Sequence, residues 1–322
     1  MQRLKDKLAF FSKLKVLKNQ ITYLIIVLII ISIIGALINP RFFSARNLFN
    51  ILQQISVLGI LTMMMSLLMI SGGLDISIGN MAALIGVIFV KMVISGYNTT
   101  IAVLAVLALS TTLGAINGII IAKSKVTPLI ITLGMSYVFY GIALIVSEGR
   151  PHALGGRFQF IGRAQIGPIP FPIIIYIAVF LLAYFLRKNT KYGRRLNAIG
   201  GNVHTAYLSG INVDAHIISI YALSGLFVGL GGLVLASRVG MVRADSGTGL
   251  ELQALAAAII GGITFEGGKG SIAGAFFGVL LLGVMYNVMN IIGVSTYLQQ
   301  IFLGAIIVLA TVVSNIRKMT RH

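Results

Sequence analysis

Long apolar runs, separated by short polar or glycine-containing segments, dominate the chain. Most of these runs are 17 to 22 residues long. As helices with a rise of about 1.5 Å per residue, they can cross a hydrocarbon core about 30 Å thick. Helices are expected because lipid offers no partner to an unpaired backbone N–H or C=O group. Ten such segments are predicted, at Ile21–Leu37, Ile51–Ile70, Ile76–Ile94, Ile101–Ala122, Leu129–Val146, Ile169–Leu186, Ile217–Ala236, Leu250–Ile263, Ile272–Ile292 and Leu298–Val313.

Two of the ten segments differ from an ordinary span. Leu250–Ile263 has 14 residues, or about 21 Å of helix, which is too short to cross alone. Ile76–Ile94 is preceded by a Ser-Gly-Gly-Leu-Asp sequence and has a glycine in its first turn. Short or glycine-interrupted segments of this kind are typical of broken or re-entrant helices that line a cavity. The same pattern also results when the segment boundaries are predicted a few residues away from their true positions. Both interpretations are open at the level of sequence.

The composition places the chain among membrane proteins. Apolar residues make up 57% of the chain, charged residues only 10%, and the mean hydropathy is +0.99. So few charges cannot cover a water-facing surface, which excludes soluble, disordered and collagen-like classes. We therefore predict an all-α polytopic membrane protein with about ten transmembrane helices, one or two of them short or broken. The predicted divisions are a basic tail at 1–20, one transmembrane domain at 21–315 with a cytoplasmic loop at 187–216, and a second tail at 316–322.

The distribution of basic residues predicts the orientation. If the N-terminus is cytoplasmic, 17 of the 25 Lys and Arg residues fall on the cytoplasmic side, in agreement with the positive-inside rule. They are Arg3, Lys5, Lys7, Lys13, Lys15, Lys18, Lys123, Lys125, Arg187, Lys188, Lys191, Arg194, Arg195, Lys269, Arg317, Lys318 and Arg321. Both termini are thus predicted to be cytoplasmic. The net charge of +18 is then explained by topology and contact with anionic lipid, without nucleic acid.

Acidic residues are rare in this chain, and two of the seven begin apolar segments. Asp75 and Glu251 are functional candidates, since burial of a carboxylate near hydrocarbon is costly. Each can equally cap a helix N-terminus by accepting backbone N–H groups. The complete set of predicted translocation-path residues is Gly72, Gly73, Asp75, Gly79, Asn80, Asn117, Glu251 and Gln253.

The sequence gives little support to enzyme chemistry. There is no Cys, which excludes disulfides and thiolate ligands, and the four His residues form no H-x-x-x-H or H-E-x-x-H arrangement. The sequence at 267–271, Gly-Gly-Lys-Gly-Ser, fails as a phosphate loop because Ile263 stands where Gly is needed and Gly270 where Ser or Thr is needed. No catalytic residue, metal or cofactor is therefore predicted. If the chain takes part in transport that is energised by ATP, another chain must hydrolyse the ATP.

The 187–216 loop begins with a basic run and continues into a segment framed by Gly201 and Gly210. Ala206 and Leu208 with an intervening Tyr suit a short amphipathic helix between turns. Such a helix can dock into a groove of a partner or lie on the lipid surface, and composition does not separate the two.

Glycine spacing indicates how the helices pack. Gly pairs four residues apart occur at 114/118, 225/229 and 274/278, and such pairs let helix backbones approach closely in lipid. In addition, the sequence at 72–79 resembles that at 261–267: each has a Gly pair, then an acidic residue, then Gly. This weak internal similarity suggests a duplicated, inverted architecture.

Four motifs in this order resemble the membrane permease subunits of bacterial ribose/galactose-type ABC importers. They are the segments at 71–79, at 197–202 with 208–213, at 251–257 and at 267–271. The resemblance extends from about Ile51 to the C-terminus. It implies a bacterial inner-membrane protein that forms the path for a simple sugar and is paired with a second permease copy or a sister permease. It also implies two ATPase subunits and a periplasmic or lipid-anchored sugar-binding protein as partners.

The same resemblance assigns the contact with the ATPase to the 197–213 segment. The implied residues are Asn197, Gly200, Gly201, Asn202, Ala206, Leu208 and Gly210. Two departures weaken parts of it. Val203-His204-Thr205 lacks the acidic residue that many relatives have before the Ala, and Gln253 stands where relatives often have Asp. An ionic contact with the ATPase and a paired-carboxylate role are therefore not expected.

The sequence leaves an alternative open. A stand-alone secondary transporter, with Asp75 or Glu251 binding a coupling ion, would fit the same apolar pattern. A membrane-embedded enzyme is disfavoured by the missing His and Cys clusters. Which sugar would cross is not readable from the sequence.

Overall fold

The computed structural model describes residues 20–158 and 160–319. Most of the predicted basic N-terminal tail, with its six Lys and Arg residues, lies outside the described residues, as does Arg321. The described chain is mostly helical, with four two-residue strands.

Thirteen helices occur in the described residues. They are α1 (Gln20–Ile38), α2 (Ala45–Ile70), α3 (Ile78–Ile94), α4 (Thr99–Ser124), α5 (Pro128–Ser147), α6 (Phe160–Arg163), α7 (Phe171–Asn189), α8 (Lys191–Gly201), α9 (Val203–Leu208), α10 (Val213–Val239), α11 (Leu250–Ile260), α12 (Ile272–Ile291) and α13 (Thr296–Met319). The strands β1 (His152–Ala153) and β4 (Met241–Val242) pair antiparallel, as do β2 (Gln165–Ile166) and β3 (Ile169–Pro170).

Each of the ten predicted apolar segments coincides with a helix. Seven helices of the described residues have at least 18 residues and are apolar enough to cross a membrane, namely α1, α2, α4, α5, α7, α10 and α12. The apolar parts of α3, α11 and α13 are shorter. The chain is therefore a polytopic, all-α membrane protein.

Helix boundaries are where the sequence predictions were wrong. Helix α2 begins at Ala45, six residues before the predicted Ile51, because Ser44 caps it with Oγ 3.3 Å from the Asn47 nitrogen. Its first two turns contain Arg46, Asn47 and Asn50, which lower the mean hydropathy, so hydropathy alone does not detect them. Helix α11 ends at Ile260 and not at Ile263, where Gly261 and Gly262 follow. The 187–216 loop holds two helices, α8 and α9, where one was predicted.

Helices α2, α3 and α10 form the centre of the bundle. Their buried residues build the main apolar cluster, whereas α1 has only Leu24 and Gly35 buried. The predicted small-residue contacts are present. A Cβ atom on Gly114 would overlap the Tyr221 carbonyl oxygen, and one on Gly225 would overlap that of Ser110, so α4 and α10 pack backbone to backbone.

The bundle has two ends, which we name after one residue each. At the Gly200 end, Gly200 and the 261–271 loop lie beside the last turn of α2 and the first residue of α1. At the His152 end, β1 pairs with β4, and Lys91 Nζ lies 3.0 Å from Glu148 Oε1. This ammonium group holds the pKa of the exposed Glu148 carboxyl below its usual value.

Candidate functional site

Helix α3 is entered through irregular backbone at 71–77 that is held inside the protein by side chains of two other helices. The hydroxyl of Tyr221, on α10, donates to the Leu74 carbonyl at 2.9 Å and accepts from the Leu74 nitrogen at 3.2 Å. Thr132 Oγ1, on α5, accepts from the Ile76 nitrogen at 3.1 Å. Buried backbone must find hydrogen-bond partners, and these two hydroxyls supply them where no helix does.

Asp75 fastens the turn that starts α3. Its side chain is 1% exposed, and Oδ1 accepts from the Ser77 nitrogen at 2.8 Å and from Ser77 Oγ at 2.5 Å. Asn117 Nδ2, from α4, donates to the same Ser77 Oγ at 3.0 Å. The carboxylate therefore accepts one backbone N–H, that of Ser77, in the turn before α3, whereas Ser77 itself occupies the N-cap position. A role of Asp75 in contacting a transported solute stays a prediction.

The predicted amide residues lie around the same turn. Asn80 Nδ2 donates to Ser136 Oγ on α5 at 2.8 Å. Three buried side-chain oxygens have no hydrogen-bond partner in the described residues, namely Asn80 Oδ1, Asn117 Oδ1 and Asp75 Oδ2. The beginning of α3 is therefore surrounded by acceptors that a hydroxyl donor would satisfy.

The second interrupted segment, before α11, meets the first one. A Cβ atom on Gly79 would overlap the Gly247 carbonyl oxygen and Glu251 Oε2, and one on Gly247 would overlap the Gly79 carbonyl. Glu251 Oε1 accepts from the Gly249 nitrogen at 3.1 Å, so this carboxylate also holds a helix start. Gln253, two residues further along α11, is half-buried.

Three glycine motifs that are remote in sequence meet at the Gly200 end. A Cβ atom on Gly200 would overlap the Ile70 carbonyl oxygen and the Gly268 nitrogen. The Gly268 nitrogen donates to that Ile70 carbonyl at 2.8 Å. A Cβ atom on Gly267, which has φ +80°, would lie 2.9 Å from Gly72 Cα and 2.7 Å from the Gly200 carbonyl oxygen. The 71–79, 197–202 and 267–271 motifs therefore form one backbone contact.

Helix α9 presents an apolar surface outside the bundle. Val203, Tyr207 and Leu208 are 54%, 68% and 71% exposed, whereas Ala206 is 2% exposed and packs with Ile199 and Val213. Asn202 Oδ1 caps α9 by accepting from the Thr205 nitrogen at 2.9 Å, and Gly210 ends the turn with φ +77°. Of the predicted coupling residues, Leu208 is thus on the surface and Ala206 anchors the helix. Asn197 is half-buried, and its Oδ1 has no partner in the described residues.

Sequence reasoning missed the residues that support the site. Tyr221, Thr132, Ser77 and Ser136 all sit in or beside apolar segments, where a lone hydroxyl gives a weak signal. Gly247 lies in a loop that carried no motif. Within the described ranges there is no group of three or more His, Cys, Asp or Glu residues that could hold a metal ion.

A multi-pass helical bundle with two interrupted segments, joined by buried hydroxyl, amide and carboxylate groups, has the architecture of a membrane transport protein. The family profile described as "Branched-chain amino acid transport system / permease component" matches residues 47–311, and the chain belongs to this permease family.

Curated relatives cover most of the chain. The ribose import permease protein RbsC of Escherichia coli (strain K12) is 39% identical over 297 residues, which are 91% of this chain and 92% of that protein. The D-allose transport system permease protein AlsC of the same strain is 35% identical over 88% of each chain. The galactose/methyl galactoside import permease protein MglC, also from that strain, is 34% identical over 93% of this chain and 97% of its own. No solved structure matches the chain.

Proposed function

We propose that this chain is the permease subunit of an ATP-binding cassette importer that carries a simple sugar across the bacterial inner membrane. In this proposal the chain binds no cofactor, has no ATPase site of its own, and works with separate ATPase subunits, a sugar-binding protein and a second permease. The Gly200 end faces the cytoplasm, since Arg187, Lys188 and the basic residues of α8 lie there. The ten apolar helices cross or enter the membrane, α3 and α11 as broken helices. The observation that supports this proposal most directly is the backbone contact of Gly200 with Ile70 and Gly268, which joins the surface helices to the end of α2, just before the first interrupted segment, and to the loop that follows α11.

The buried polar groups favour a neutral sugar over an amino acid. Among the described residues, the buried polar side chains are hydroxyls and amides together with the carboxylate of Asp75, and no Lys, Arg or His is among them. The α-carboxylate of an amino acid would need a cation or comparable donors along a dry path. A sugar offers hydroxyl donors to the unpartnered oxygens near α3. The relatives named for ribose, allose and galactose support the same substrate class.

The test is uptake into proteoliposomes that contain the chain, its ATPase and the binding protein. We expect ATP-dependent uptake of one of ribose, allose or galactose, and no uptake of leucine, isoleucine or valine. Branched-chain amino acid uptake would refute the substrate class. Uptake by this chain alone, driven by a proton or sodium gradient, would refute the importer and support the secondary transporter.

The contact with the ATPase can be tested on α9. Replacement of Tyr207 and Leu208 by Ala should abolish copurification of the ATPase, because tyrosine is among the residues that dominate such contacts and the exposed Leu208 adds apolar area beside it. The matched control replaces the Tyr297–Leu298 pair, which is 79% and 49% exposed at the His152 end. Equal ATPase recovery with both double variants would show that α9 is not the docking element.

A further inference from the structure

The junction of α7 and α8 carries a dense group of cations. Five of the nine residues from 187 to 195 are basic, and we call them the elbow cations: Arg187, Lys188, Lys191, Arg194 and Arg195. Among the described residues no carboxylate forms an ion pair with any of them, since the ion pairs there involve Lys91, Lys123 and Arg243. Like charges this close repel one another, so an anion at this position would be attracted.

The elbow, which we define as residues 187–195, is a tight turn whose conformation is fixed by hydrogen bonds and close backbone packing. Thr190 Oγ1 donates to the Leu186 carbonyl at 2.5 Å and accepts from the Gly193 nitrogen at 3.1 Å. A Cβ atom on Gly193 would overlap the Leu186 and Arg187 carbonyl oxygens, so the first turn of α8 lies directly on the last turn of α7. The buried Leu196 and Ile199 fix the opposite face of α8 to the bundle. This leaves the other face of α8, with three of the elbow cations, exposed.

The apolar surface next to the elbow is what a lipid chain would cover. Leu181, Leu182 and Phe185, in the last turns of α7, are 56%, 41% and 54% exposed. Lys188 Nζ lies 5.2 Å from the centre of the Tyr184 ring and donates to its hydroxyl at 2.8 Å. An aromatic residue and a snorkelling lysine one turn apart are typical of a membrane–water interface.

We propose that the elbow cations bind the headgroup phosphate of an acidic phospholipid, whose acyl chains lie along the exposed apolar face of α7. The juxtaposition of cations and apolar surface within two helical turns favours lipid over a protein partner. The surface with the aromatic and aliphatic character of a protein contact is α9, which is separate from the elbow.

The test uses the purified full chain in detergent, titrated with phosphatidylglycerol or phosphatidylcholine and followed by native mass spectrometry. Wild type should retain phosphatidylglycerol in preference to phosphatidylcholine. The Arg194→Gln/Arg195→Gln variant should bind phosphatidylglycerol about 25-fold more weakly, at about fivefold for each lost charge. The control, Lys125→Gln/Lys269→Gln, loses the same charge from exposed positions outside the elbow and should change binding about twofold or less.

The Arg194→Lys/Arg195→Lys variant keeps both charges and should retain most of the binding, which separates charge from folding defects. Unchanged phosphatidylglycerol binding by the Gln variant would overturn the proposal, and so would equal binding of the two lipids by wild type. Retention of inorganic phosphate by wild type in preference to phosphatidylglycerol, with both present at equal concentration, would show that free phosphate, and not lipid, occupies the elbow. Loss of ATPase copurification with intact lipid binding would assign the elbow to the protein partner instead.

Discussion

An added methyl group at Gly200 should separate the surface helices from the end of α2 and from the 261–271 loop. Gly200 lies within α8 in a helical conformation, so the Ala backbone is unstrained and would favour the helix by about 0.5–1 kcal/mol. The methyl group would, however, overlap the Ile70 carbonyl oxygen and the Gly268 nitrogen. These are backbone atoms, which cannot rotate away as a flexible side chain would.

The cost follows from how the overlap is relieved. Overpacking of a well-packed contact costs about 1–3 kcal/mol. If α8 moves away to relieve the overlap, it also distorts the 2.8 Å hydrogen bond between the Gly268 nitrogen and the Ile70 carbonyl. Such a hydrogen bond contributes about 0.5–1.5 kcal/mol to stability. After the gain in helix propensity is subtracted, we expect Gly200→Ala to destabilise the Gly200 end by about 0.5–4 kcal/mol.

The neighbouring residue provides the control. A Cβ atom on Gly201 meets nothing within 4 Å, so Gly201→Ala adds the same atoms without an overlap. Thermal unfolding of the purified chain and ATP-driven sugar uptake with the partner proteins should distinguish the two variants. Gly200→Ala should lower both the unfolding temperature and the uptake, and Gly201→Ala should unfold at the wild-type temperature. If both variants behave alike in both assays, the backbone contact at Gly200 does not transmit motion.

Two further predictions concern single turns. Asp75→Asn keeps an acceptor for the Ser77 nitrogen and should retain most uptake per inserted protein. Asp75→Ala leaves this buried N–H unpaired at a cost of about 1–3 kcal/mol and should lower the folded yield. An Asn variant that inserts normally but is inactive would show that the charge itself is needed. Gly210 has φ +77° with open space around it, so Gly210→Val should strain the end of α9 by about 1–3 kcal/mol and lower uptake together with substrate-stimulated ATP hydrolysis. Gly210→Asn, which tolerates this conformation, should be mild; normal uptake and stimulation in the Val variant would contradict the role of this turn.

The sequence predicted the helices well because lipid makes the apolar run itself the structural signal. Every predicted segment coincides with a helix. The misplaced start of α2 follows from the same physics: its first turn reads Ala-Arg-Asn-Leu and is fixed by Ser44, so hydropathy does not detect it. Helix α8 was missed for a similar reason, since Lys191–Gly201 is an amphipathic basic helix and not an apolar run.

The sequence could identify the motifs of the candidate site but not their contacts. That Gly72, Gly200 and Gly267 meet is a long-range property of the packing, and a glycine gives no sign of its partner. The hydroxyl of Tyr221 pairs with Leu74, 147 residues away, and was read as part of an apolar span. Asp75 was interpretable because a carboxylate before a helix accepts a nearby backbone N–H, and the Ser77 nitrogen is only two residues away.

The Gly200 contact differs from ordinary helix packing in what it can transmit. Side chains between two helices can change rotamer and absorb a small displacement, but the Gly200, Ile70 and Gly268 backbones touch with no side chain between them. A movement of α8 must therefore move the end of α2 and the 261–271 loop, or break the contact. The end of α2 leads into the turn that Asp75 stabilises. The 261–271 loop follows α11, and the start of α11 contacts Gly79. We infer that a partner acting on α9 would displace both interrupted segments together.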